Sequence, residues 1–271
     1  MNWVIFTETL RRSWRGALWW GVALGLMAWV NVIAVPSVDS IQQIADLLET
    51  MPPIIMQMFG ANDMAFMGTP EGYLALQLFA FFPLVLAVYG AIAGMNIVSN
   101  EEDRGIMDSL LSTPIKRWRV VMEKSLAYAV LVVFVILVLH AWVLIGLVMV
   151  PEVAAQVNLV ELTIASLGMV PLTWIVMGMM AMLTGLLRNR GLAIALVSAF
   201  VIGSYFLNTL GNAVTDSIIS TLRPLSYFSY LDSTAIMQGN IQWITLLIPA
   251  FVTVIAVIIG MVGFQRRDVG I

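Results

Sequence analysis

The sequence contains no cysteine, which excludes disulfides and thiolate metal sites. It has one histidine, His140, too few for a histidine-built metal site. No G-x-x-x-x-G-K-[ST] pattern occurs, so the chain carries no nucleotide-binding P-loop of its own. Charge is scarce: 11% of the 271 residues are Asp, Glu, Lys or Arg, against about a quarter in soluble proteins. The net charge of −3 leaves no electrostatic footprint for nucleic acid. No clustered nucleophile, acid–base pair or metal-ligand set supports an intramembrane enzyme, and no cofactor is expected on this chain.

What is present is apolar: 61% of the residues are hydrophobic. That composition predicts an all-α polytopic membrane protein, with residues 1–271 as a single transmembrane domain. Six runs approach the roughly 20 residues needed to cross a bilayer, at 18–35, 73–98, 126–150, 162–187, 191–210 and 244–264. Pro36 closes the first, Pro83 predicts a kink in the second, and Gly178 and Gly185 permit close helix approach in the fourth. His140 lies inside the third, where a hydrogen bond to a neighbouring helix and a role in substrate or proton handling are both open.

Between and before the spans the pattern changes. In residues 2–16, Trp3, Val4, Phe6, Leu10 and Trp14 alternate with Glu8, Arg11, Arg12 and Arg15, which predicts an amphipathic helix in the inner interface rather than a cleaved signal peptide. In the first outer region, 37–72, Ile41, Ile44, Leu48 and Met51 share one face of a short helix that Pro52 and Pro53 stop. Residues 211–243 are too broken to span.

Twelve of the thirteen basic residues fall on one side of this arrangement, and only Arg223 falls on the other. The positive-inside rule then places both termini in the cytoplasm, and the expected location is the cell inner (plasma) membrane. None of the six runs contains Asp, Glu, Lys or Arg, which argues against an ion-coupled antiporter. Neither a charged ring nor a filter-like carbonyl loop is visible to suggest a channel.

The one long charged stretch is Ser99 to Lys124, SNEEDRGIMDSLLSTPIKRWRVVMEK. Ser99 and Glu102 have capping-box spacing, and Glu101, Glu102 and Asp103 suit the positive end of a helix dipole. Ile106, Met107, Leu110 and Leu111 recur at helical spacing, and Pro114 ends the pattern before Lys116, Arg117, Trp118 and Arg119. By composition alone such a stretch is a solvated loop with basic anchors at the lipid surface. The order EE-D-R-G, an apolar pair, then L-L-S-T-P-I-K-R-W resembles the cytoplasmic coupling segment of bacterial ABC exporter permeases of the type V, six-span class. Leu222-Arg223-Pro224-Leu225-Ser226-Tyr227-Phe228 similarly resembles that family's L-x-P-x-x-Y-F element, with Arg223 where the family usually has a small residue.

The resemblance implies a coupling helix at 99–124, short re-entrant helices before the sixth span, and two six-span subunits, identical or related. Two copies of a separate ABC ATPase subunit, holding ATP and Mg, would bind beneath them. Glu101, Glu102, Arg104, Gly105, Ile106, Met107, Leu110 and Leu111 would contact the ATPase. The implied cargo is amphipathic or hydrophobic: a drug, antibiotic or lipid-like compound. Gln77, Phe82, Tyr89, Asn96, Tyr205 and Asn208 are candidates for the pathway, with ordinary interhelical packing as the competing reading of each. A membrane scaffold or assembly protein without transport activity is the alternative function.

Overall fold

In hydrocarbon every backbone polar group must be satisfied within its own element, so long apolar runs become helices. The computed structural model describes residues 3–34, 37–50, 52, 64–98, 117–214 and 217–266. In chain order the helices are α1 (Val4–Ile33), α2 (Val38–Glu49), α3 (Met64–Met67), α4 (Pro70–Phe79), α5 (Phe82–Met95) and α6 (Arg117–Met149). There follow α7 (Pro151–Ala154), α8 (Leu159–Leu186), α9 (Arg190–Ala213), α10 (Ile218–Leu222), α11 (Ser233–Met237) and α12 (Trp243–Arg266). Two 3-10 turns, Arg223–Leu225 and Tyr227–Tyr230, lie between α10 and α11. Among the described residues, six stretches are long and apolar enough to cross a membrane: α1, α4 with α5, α6, α8, α9 and α12. The chain is an all-α polytopic membrane protein.

Several boundaries differ from the apolar runs. The separate interfacial helix expected over 2–16 is continuous with the first span, because no proline or cap interrupts α1 between Trp3 and Ala34. At 30 residues, α1 is about 45 Å long, more than a bilayer core requires. The third span likewise begins at Arg117 rather than 126, so the end of the charged stretch is already helical. The second span is interrupted at Ala80 and Phe81, and Pro83 enters the first turn of α5, where a missing N–H costs nothing.

Packing follows small residues. Without a hydrophobic driving force between helices, close backbone approach and dispersion hold a membrane bundle together. Along α1, Ala17, Gly21, Gly25 and Ala28 are buried and form a small-residue stripe. A Cβ at Gly21 would stand 2.8 Å from Val138 Cβ, and one at Gly25 would overlap the Trp142 ring, so α1 and α6 lie side by side and parallel. Gly90 and Gly94 repeat the device between α5 and α8, where a Cβ would meet Thr173 O at 2.8 Å and Met180 Cβ at 2.7 Å. Gly178 and Gly185 face Thr253 and Gly260 across the α8–α12 contact. α8 is the central element, packed against α5, α6, α9 and α12.

The remaining elements cover one end of the bundle. Ile41 buries α2 against α3 and α4 at 1% exposure. Gly239, at φ 81°, turns the chain after α11. The short connection between α8 and α9 is set by Asn189, whose side chain accepts the Leu192 amide at 3.1 Å as an N-cap. Asn189→Ala should cost about 1 kcal/mol, read as a lower unfolding midpoint in detergent.

Candidate functional site

At the end of the bundle where α1 and α6 begin, α5 ends and α8 passes into α9, the described basic residues other than Arg223 are gathered. The coupling candidates Glu101, Glu102, Arg104, Gly105, Ile106, Met107, Leu110 and Leu111 lie outside the described residues. Both flanks of that segment are firmly seated. Ile97 and Val98, just before it, are each 1% exposed. After it, Lys124 is buried and donates from Nζ to the Asn96 carbonyl at 3.4 Å, which pins the start of α6 to the end of the second span. Arg190 Nε stands 2.9 Å from Met95 Sδ, joining the start of α9 to the same corner.

Beside Lys124 is Glu123, 1% exposed. A carboxylate buried without partners is prohibitively costly, and this one has three donors. Arg119 Nε donates to Oε1 at 2.6 Å, and the amides of Ile5 and Phe6 donate to Oε2 at 3.1 and 3.2 Å. In the sequence Glu123 is one charge among several at the end of the charged stretch. An arginine four residues before it, at the margin of an apolar run, was the visible signal. Its partners on α1 are more than a hundred residues away in sequence and leave no local trace.

The opposite end holds polar cavities. One, of about 140 Å³, is bounded by Pro83, Tyr205, Asn208, Asn212, Arg223 and Asp232 among others. A second, of about 340 Å³, shares Arg223 and Asp232 and is completed by Ser220, Tyr230 and Gln242. Arg223 Nε donates to Asn208 Oδ1 at 3.2 Å, and the space for its side chain is left by Gly211, where a Cβ would stand 3.0 Å from Arg223 Cβ. Behind it Tyr227 stacks on Phe200 at 5.5 Å, Phe228 packs edge-on against Tyr205 at 5.7 Å, and buried Ser226 donates to the Ser204 carbonyl at 2.7 Å. The Leu222–Phe228 element is thereby fastened to α9.

Of the six pathway candidates, Tyr205 and Asn208 share the smaller polar cavity. The other four are not among the residues that line it. Phe82 and Tyr89 are buried, with the Tyr89 ring 5.6 Å from Trp20 of α1. Gln77 is half-buried on α4 with Nε2 3.5 Å from the Tyr73 hydroxyl, and Asn96 is at the basic end. His140 faces α8, with Nδ1 3.0 Å from Ser166 Oγ and Nε2 3.1 Å from Thr163 Oγ1. Each hydroxyl also lies within donating distance of the carbonyl one turn back, 2.8 Å for Ser166 and 2.7 Å for Thr163.

The family model described as "Multidrug efflux system permease Rv1217c, C-terminal domain" matches residues 8–265. No curated protein matches the chain.

Proposed function

We propose, from the premise that the chain belongs to this multidrug efflux permease family, that it is the membrane subunit of an ATP-driven ABC exporter. A transport permease of this size needs an energy source. The sequence has neither a P-loop nor, in the expected spans, any of the Asp, Glu, Lys or Arg residues that ion coupling commonly uses. A separate ATPase subunit supplies ATP hydrolysis, and the segment between the second and third spans receives its movement. The observation that carries this reading is that segment: a charged stretch with an apolar helical stripe, leaving from buried Val98 and re-entering at helical Arg117.

Two six-span units make the pathway, either two copies of this chain or this chain with a relative. Support comes from α9, which leaves Ile194, Ile202 and Phe206 exposed beside an apolar groove of about 430 Å³ between α5 and α9. Such apolar walls suit an amphipathic or hydrophobic cargo moved outward. ATP-driven closure of the two ATPase subunits shifts the pathway between inward- and outward-open states that differ in affinity for that cargo. The basic end faces the cytoplasm and the polar cavities around Arg223 face outward.

Affinity purification of the tagged chain from its native membrane in mild detergent tests the assignment. The expected result is a co-purifying ABC ATPase in equal stoichiometry. Intact, folded chain with no ATPase would overturn the exporter reading in favour of a scaffold.

A further inference from the structure

We propose that Glu123 is a positioning residue that caps α1 from α6 and makes the beginnings of the two helices move as one unit. The first amides of a helix have no partner within it, and an N-cap side chain ordinarily accepts those of the second and third residues. In α1 the N-cap position is Trp3, which makes no side-chain cap bond. The second and third residues are Ile5 and Phe6, and the Glu123 carboxylate accepts both amides. The cap has been moved to another helix. The negative charge also meets the positive end of the α1 dipole. Arg119, one turn earlier on α6, fixes the other carboxylate oxygen, so the rotamer of Glu123 is set from its own helix.

Among the described residues Glu123 is the only buried carboxylate. Sliding α1 past α6 would strand that carboxylate and two amides at once. Farther along the same pair, Gly21 and Gly25 lock against Val138 and Trp142. Two clamps at different heights leave the pair no hinge. Resting on the exporter reading, the consequence is mechanical. A displacement delivered through the segment before Arg117 carries α1 along with α6, rather than bending α6 alone.

The test uses the whole chain in lipid nanodiscs. In the wild type the Ile5 and Phe6 amides should exchange with deuterium slowly, and rapid exchange there would already overturn the proposal. Glu123→Gln should raise exchange at those two amides roughly tenfold, the scale of a lost cap. Because the chain has no cysteine, spin labels at Arg12→Cys and Val130→Cys report the α1–α6 distance directly. That distribution should be narrow in the wild type and broad in Glu123→Gln. Adding Trp3→Asp to Glu123→Gln gives α1 a cap of its own, which should restore slow exchange and leave the distance broad. A double variant whose distance narrows again would show that any cap suffices and overturn the tie. These readouts come from the chain alone, so they judge Glu123 whether or not an ATPase co-purifies.

Discussion

Gly185→Leu is expected to pull α12 away from α8 and to lower the stability of the bundle by more than about 3 kcal/mol. A Cβ at Gly185 would overlap the Gly260 carbonyl, and it would stand 3.0 Å from Gly260 Cα. What it meets is backbone, so no side-chain rotation relieves the contact and one helix has to move. Gly260 is equally closed, with Met182 Cα at 2.8 Å from its own added Cβ. On both helices, then, an added Cβ meets backbone of the other helix. Overpacking costs about 1–3 kcal/mol when side chains can adjust. Gly185→Ala should reach that range and Gly185→Leu should exceed it, because α12 has few other partners. Thermal unfolding in detergent, followed by tryptophan fluorescence, measures both. Gly16→Ala is the control: nothing lies within 4 Å of the added Cβ, and exchanging an exposed helical glycine for alanine should gain up to about 1 kcal/mol. Equal midpoints for Gly16→Ala and Gly185→Leu would remove the close-packing account of α8 and α12.

The six spans were legible because a membrane helix announces itself by an unbroken apolar run, and each run overlaps a helical stretch long and apolar enough to cross. The glycines of the fourth span were legible too, since Gly178 and Gly185 do face Thr253 and Gly260. Helix ends were not. The first apolar run begins at Leu18, whereas the α1 helix begins at Val4. Hydropathy marks where lipid begins, while backbone hydrogen bonding continues past it for as long as something caps the end. For α1 that cap is Glu123. For α4 it is Thr69, which accepts the Gly72 amide at 3.1 Å and moves the start back to Pro70. Tyr205 and Asn208 could be named from sequence as pathway candidates near the outer end of the fifth span. That Asn208 bonds to Arg223, and that Tyr205 lines the same cavity, depends on two 3-10 turns folding back over α9, a tertiary fact without a period to read.

Glu102→Lys is expected to abolish ATPase stimulation by the permease while leaving its membrane insertion unchanged, on the reading that Glu101 to Leu111 dock onto a separate ATPase. The size of the effect separates a local cause from an interfacial one. Reversing one charge near a helix start costs about 0.3–1 kcal/mol through the dipole, too little to unfold a segment anchored by Val98 on one side and α6 on the other. Losing one partner of a buried interfacial charge pair costs about 2–5 kcal/mol, or about thirtyfold and upward in affinity. Stimulated hydrolysis that falls by severalfold only would therefore assign Glu102 to helix stability. A fall of thirtyfold or more would assign it to the docking surface. Gly105→Trp tests the same surface by bulk instead of charge and should act in the same direction, since the apolar stripe from Ile106 to Leu111 follows directly. Stimulation retained by both variants with the partner present would withdraw the coupling role from this segment. Glu123 would then be left joining α1 to α6 for packing alone, because no displacement would enter the pair at Arg117.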